Sequence, residues 1–265
     1  GNNVVLRDAN ALVLGASTVS GTLAVNAGGS VTQSGAVNAA QLTAALTGAA
    51  SALNLGTQTN NIAQLNAITA PGGFTLTNGN NAVAINGVIS STNNSVAITS
   101  GGGATTFNAS GSIASGGGNV TLTNTNIAKV LGNIDTTGGA STGNFTIAGT
   151  GVISQAATTA LKIKGTTTLG AGAGNNVTLA NTGNDFTGAV SVATGNNVSI
   201  TDANALVLGA STVSGTLAVN TTGAITQSGA LAVTGVTTLA AGSASDITLN
   251  TAANNFSTVA ITSGN

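Results

Sequence analysis

GNNVSITDANALVLGASTVSGTLAVNTTGAITQSGALAVTGVTTLAAG, residues 195–242, decides the fold class because its apolar residues alternate with polar ones. Val198 and Ile200 share one side of the chain while Ser199 and Thr201 share the other, and Leu206/Leu208, Leu217/Val219 and Leu231/Val233 repeat the arrangement. A period of two is the signature of a strand with one buried face, where a helix would show a period near 3.6. Between the alternating runs lie TDAN, NTTG and QSG, residues that form tight turns and tolerate left-handed backbone. The pattern predicts strands of about four to six residues joined by short turns.

The stretch is also repeated. Residues 1–36 match 195–230 at a constant offset of 194, with 29 of 36 positions identical, and DANALVLGASTVSGTLAVN occurs twice unchanged. A shorter period lies within: GTTTLGAGAGNNVTLANTGNDF (165–186) aligns with GVTTLAAGSASDITLNTAANNF (235–256) at an offset of 70. GVISQA at Gly151 answers GAITQS at Gly223 at an offset of 72, so two residues near Thr158 and Thr159 are extra. Grouping the strands in threes divides the unit into rungs of about 23 residues, about 11 for the chain, each stacked about 4.8 Å above the last. The expected fold is all-β, a right-handed parallel β-helix with three short strands per rung. Leu179, Ile200, Ile225 and Leu249 are the expected first-strand anchors of successive rungs. Residues 1–265 read as one continuous solenoid fragment, with a repeat copy over 1–36, divergent rungs over 37–150 and regular repeats over 151–265.

A narrow interior lined by Val, Ile, Leu and Ala leaves no room for charges or bulky aromatics, and the composition agrees. Nine of 265 side chains are charged, and His, Cys, Met, Trp and Tyr are absent. General acid–base chemistry and transition-metal binding draw on the missing residues, so no enzyme, catalytic residue, metal site or cofactor is expected. A net charge of −1 with four scattered cations excludes a phosphate-binding surface, and with it nucleic acid. No apolar run approaches the length of a membrane span, so a soluble segment without membrane insertion is expected. Without Met, and opening in mid-pattern, the chain reads as a fragment of something longer.

Residues 37–150 follow the repeat less closely. AAQLTAALTGAASALNL admits an amphipathic-helix reading through Leu42, Leu46, Ala49 and Leu53, but Thr43, Thr47 and Gly48 weaken it, and irregular strands are preferred. Pro71-Gly72-Gly73 marks a turn before alternation resumes at Phe74/Leu76 and Val83/Ile85. Glycine clusters at 101–103, 116–118 and 138–139 read as exposed turns. Asn3, Asn176, Asn197 and Asn265, at similar turn positions, suggest either amide ladders between rungs or plain turn propensity.

NNIAQLNAITAPGGFTLTNGNNAVAINGVIS (60–90) resembles the filamentous haemagglutinin type of large bacterial exoprotein exported by two-partner secretion. The resemblance lies in Asn61 to Leu65, in the strand near Phe74 and Leu76, and in Val83 to Gly87. It implies a right-handed β-helix forming the shaft of a secreted or cell-surface adhesin, exported through an outer-membrane secretion partner.

The remaining polar residues have ordinary readings. Arg7 and Asp8 are adjacent, hence on opposite sides of a strand or in a turn, and Thr201 replaces Arg7 in the second copy. Lys162 and Lys164 read as a solvated outer face, with Leu161 and Ile163 inward, in preference to a small basic patch for an anionic glycan. Asp185, Asp202 and Asp246 fall beside Asn in turns, where a carboxylate caps backbone N–H groups. Thr-x-Thr pairs at 75–77 and 121–123 suggest an ice-binding rank that TLA (178–180) and TLN (248–250) interrupt. The expected role is a non-catalytic structural spacer in cell adhesion. The alternative is a solenoid whose side itself binds glycan or a host surface, through residues 37–150. Glycans or proteins of a host or neighbouring cell are the expected partners, and end-to-end or lateral self-association is compatible with the fold.

Overall fold

The computed structural model describes residues 2–125 and 127–264. It is all-β, a parallel β-solenoid of about 12 turns with rungs of roughly 22 residues. The chain forms two compact units, one of residues 1–127 and 132–143 and the other of residues 128–131 and 144–265. The helix reading of 39–55 fails and the preferred strand reading holds. Val37–Leu46 and Leu53–Leu55 are strands, and between Leu42 and Ala44 the first shifts register against Asn61–Thr69, which carries one extra residue there.

In the first unit, one column of inward side chains runs Val4, Leu23, Leu42, Leu65, Ile85, Phe107, each residue in register with the next. A second runs Val31, Leu53, Phe74, Val96, Val120. In the second unit, Val177 sits on Ile153, and Leu179, Ile200, Val219, Leu239 and Ile261 form the column beside it. All the members of the Val31 column are fully buried, and each such side chain contributes roughly 1.5–3 kcal/mol. Parallel stacking also pairs the backbone of every interior strand on both edges, so a long stack needs no charged residues to stay ordered.

The registers correct the expected assignment of anchors. Ile200 lies beneath Val219, whereas Ile225 belongs to the other sheet, above Leu206, with Ile247 above it in turn. The turn length is therefore not uniform: Val198 to Leu217 is a step of 19 residues and Ile153 to Val177 one of 24. The 70-residue sequence period is consequently not a whole number of turns. Thr167–Leu169 pairs in the sheet of Val190 and Val192, while its sequence counterpart Thr237–Leu239 pairs in the sheet of Leu217 and Val219. Alternation is the same on every face, so apolar pattern finds strands without saying which face each occupies.

Two further expectations change. The glycine clusters are turns, but Gly103, Gly117 and Gly118 are buried in the first unit. A Cβ on Gly118 would lie 1.9 Å from the Asn94 carbonyl oxygen, so glycine there allows one turn to sit on another. The interior also admits a charge-bearing residue, for Lys129 is 1 % exposed.

Candidate functional site

The polar residues the sequence singled out lie mostly on the outer faces. Arg7 is exposed and Asp8 half-buried, as adjacent strand residues should be, and the Asp8 carboxylate accepts the Asn10 backbone N–H at 2.9 Å. Leu161 and Ile163 point inward and Lys162 outward, where Lys162 stands in register with Asp185 on the next rung. Asp202 does cap a turn, with Oδ1 accepting the Asn204 N–H at 2.9 Å, but it is also buried, and Oδ2 accepts the Phe186 N–H at 3.2 Å from the preceding rung. Burial raises its pKa, the two N–H donors oppose the shift, and nearby Asp185 adds to it. Asp246 offers its backbone carbonyl to Ile225 N–H. Burial lowers the pKa of Lys129, whose Nζ donates to the Thr150 carbonyl at 2.9 Å. These charges do not converge: among the described residues no three His, Cys, Asp or Glu side chains cluster.

The asparagines named from sequence bridge rungs without forming amide ladders. Asn3, Asn176 and Asn197 accept the backbone N–H groups of Thr22, Asn197 and Thr216 respectively, and Asn265 lies outside the described residues. A side-chain amide ladder exists elsewhere, where Asn86 donates to Gln64 and Asn66, and Asn66 donates to Gln41. The Thr-x-Thr pairs at 75–77 and 121–123 flank Ala97 and Thr99 on one sheet in direct register, so the interruptions noted in sequence belong to other positions.

The most ordered polar feature was not anticipated. Three times, a Gln at the end of one strand and an Asn one turn later exchange hydrogen bonds inside a corner of the solenoid. Gln33 Nε2 donates to Asn60 Oδ1 at 2.8 Å, and Gln33 Oε1 accepts from Asn60 Nδ2 at 3.2 Å. Gln155 and Asn184 do the same at 2.7 and 3.1 Å, and Gln227 and Asn254 at 2.8 and 2.8 Å. Each Asn Oδ1 also accepts the first N–H of the strand that follows the Gln, at Val37, Leu161 and Leu231. Each Nδ2 donates to a leucine carbonyl five residues back, at Leu55, Leu179 and Leu249. A neutral amide is suited to this place because it donates and accepts at once, and burial costs little once all its bonds are made. The signal was present in the aligned segments GVISQA/GAITQS and TGNDF/AANNF, where Gln and Asn persist while neighbours change.

The three clamps differ in one respect. Gln33 and Gln227 each donate to a Gly carbonyl two residues on, Gly35 and Gly229. Gln155 donates to Thr159, four residues on, because this connection carries the two extra residues. The longer loop places Thr158 at φ +64°, a left-handed conformation that costs a β-branched residue of order 1–3 kcal/mol. With the loop of residues 180–183, stacked one turn later, it bounds an open groove of about 450 Å³ lined by Thr158, Thr159, Asn181 and Thr182.

No curated protein and no solved structure matches this chain. Three segments, residues 1–69, 117–193 and 195–263, match one family, described as repeats of unknown function (DUF5649). Two of the three begin at the start and at residue 195, in keeping with the offset of 194 between the copies, and together they span most of the sequence: the chain belongs to the DUF5649 repeat family.

Proposed function

We propose that this chain is a non-catalytic structural shaft in an extracellular bacterial adhesin or surface fibre, a stiff spacer that holds a binding region away from the cell. The observation that carries the reading is the continuity of inward apolar columns through each unit, closed at the corners by amide clamps. Such an architecture is quasi-one-dimensional, so turns can be added without redesign. The resemblance of residues 60–90 to filamentous haemagglutinin-type exoproteins supports the compartment, and the sparse charge supports the absence of catalysis.

The test is to change the number of turns in the protein displayed on cells. Removing residues 198–216 deletes one turn, because Leu217 takes the register of Val198, and leaves both clamps of the second unit intact. Duplicating those residues several times lengthens the stack by about 4.8 Å each time. Cell-to-cell attachment should follow the number of turns while binding of soluble ligand does not change. Attachment that ignores the number of turns refutes the spacer, and loss of soluble binding on the deletion would place recognition on these turns.

A further inference from the structure

We propose that the groove beside Thr158 is a binding site for a neutral, hydroxyl-rich ligand, a short saccharide. This goes beyond the spacer role, and neither reading depends on the other. Two observations carry it. The same Gln–Asn clamp is built three times, at Gln33 and Gln227 in one sheet and at Gln155 in the other, and only at Gln155 does its connection carry two extra residues, since Gln33 to Val37 and Gln227 to Leu231 are four residues apart and Gln155 to Leu161 six. The opened loop also holds a β-branched residue in left-handed backbone, φ +64°, whereas the two short connections have no non-glycine residue at positive φ. Strain kept by a rigid surround is a mark of sites that do something besides fold.

The surround is rigid. Asn181 Nδ2 donates to the carbonyls of Ala156 at 2.7 Å and Thr159 at 3.0 Å, tying the two walls together. Behind them the half-buried Gln155, paired with the buried Asn184, fixes Thr159 from inside.

The lining selects the chemistry. It carries hydroxyl and amide groups and no charged side chain, so it does not favour an ion. Its apolar atoms are two alanines and threonine methyls, too little surface to hold an aromatic or aliphatic ligand by burial. The Thr158 and Thr159 hydroxyls donate to the Ala157 and Ala156 carbonyls at 2.6 and 2.7 Å, which leaves their oxygens as acceptors for sugar hydroxyls, and about 450 Å³ is within the usual range for a small-ligand site.

The test uses a variant that closes the groove without touching the clamp. Deleting Thr158 and Thr159 and replacing Ala157→Gly rebuilds the Gln-x-Gly-Ala-Leu connection found at Gln227. The glycine copies Gly229, where a Cβ would lie 2.4 Å from the Ala210 backbone nitrogen. Amide NMR titration with neutral di- and trisaccharides of glucose, galactose and N-acetylglucosamine should shift resonances of residues 157–160 and 180–183 in the native chain. Those shifts should vanish in the shortened variant with circular dichroism unchanged. A second variant, Thr158→Gly, relieves the strain, so it should melt higher while weakening the shifts several-fold. Absence of shifts well into the millimolar range, shifts that survive in the shortened variant, or a response only to sulfated or carboxylated sugars would each overturn the proposal.

Discussion

Asn184→Ala is the substitution whose cost the structure defines most sharply. Asn184 is fully buried, and its amide makes four bonds shorter than 3.3 Å: from Gln155 Nε2 and Leu161 N–H to its oxygen, and from its nitrogen to Gln155 Oε1 and the Leu179 carbonyl. Each bond is worth about 1 kcal/mol net, and a buried partner left unsatisfied raises the cost. Gln155 is half-buried and can recover part of its loss from water, so the expected destabilisation is about 3–5 kcal/mol. Asn254→Ala, at the half-buried clamp, should cost less. Because a solenoid can unfold in parts, urea denaturation followed by circular dichroism should be joined by hydrogen exchange at the Leu161 amide, which the substitution exposes directly. Gln155→Ala and Asn184→Ala should be strongly non-additive, since each removes the same pair of bonds. Asn184→Asp should be damaging at neutral pH and milder in acid. Its buried carboxylate would face Gln155 Oε1 and the Leu179 carbonyl, raising its pKa, so stability would fall as pH rises through that raised value. If Asn184→Ala cost under about 1 kcal/mol, or the two alanine substitutions simply added, the clamp would not be holding the corner.

Thr167 and Thr237 are fully buried with hydroxyls that find no partner, so Thr167→Val and Thr237→Val should each stabilise the fold by about 1 kcal/mol, read from urea midpoints. Ile225→Asp should cost several kcal/mol while Thr226→Asp, on the outer side of the same strand, costs little; reversed ranking would invalidate the face assignment. Lys129→Met should stabilise the protein near neutral pH. In the native chain a lowered Lys129 pKa makes stability rise with pH between that lowered value and 10.5, a slope the variant should lose in pH-dependent melting. The raised pKa of Asp202 acts in the opposite sense, its stability contribution falling as pH rises from 3.8 through its folded value, so Asp202→Asn should flatten the acid limb of the same curve.

Sequence by itself determined that the chain is a stack of short strands. Alternation at Val198/Ile200 or Leu217/Val219 needs no tertiary knowledge to read, because a strand buries every second residue whatever it packs against. The inward placement of Leu161 and Ile163 was legible for the same reason, as were the turn-capping role of Asp202 and the two extra residues near Thr158. Only the tertiary structure decided the registers. Ile225 and Ile200 carry the same pattern yet lie in different sheets, since face identity depends on how many residues each corner consumes, from a step of 19 at Val198 to one of 24 at Ile153. The clamps were hidden by the same long-range dependence. Gln155 and Asn184 are 29 residues apart, and nothing local shows that one turn of the solenoid brings their amides to 2.7 Å. Burial of Lys129 likewise comes from its place in the stack, because its own strand, KVL, alternates equally well in either orientation.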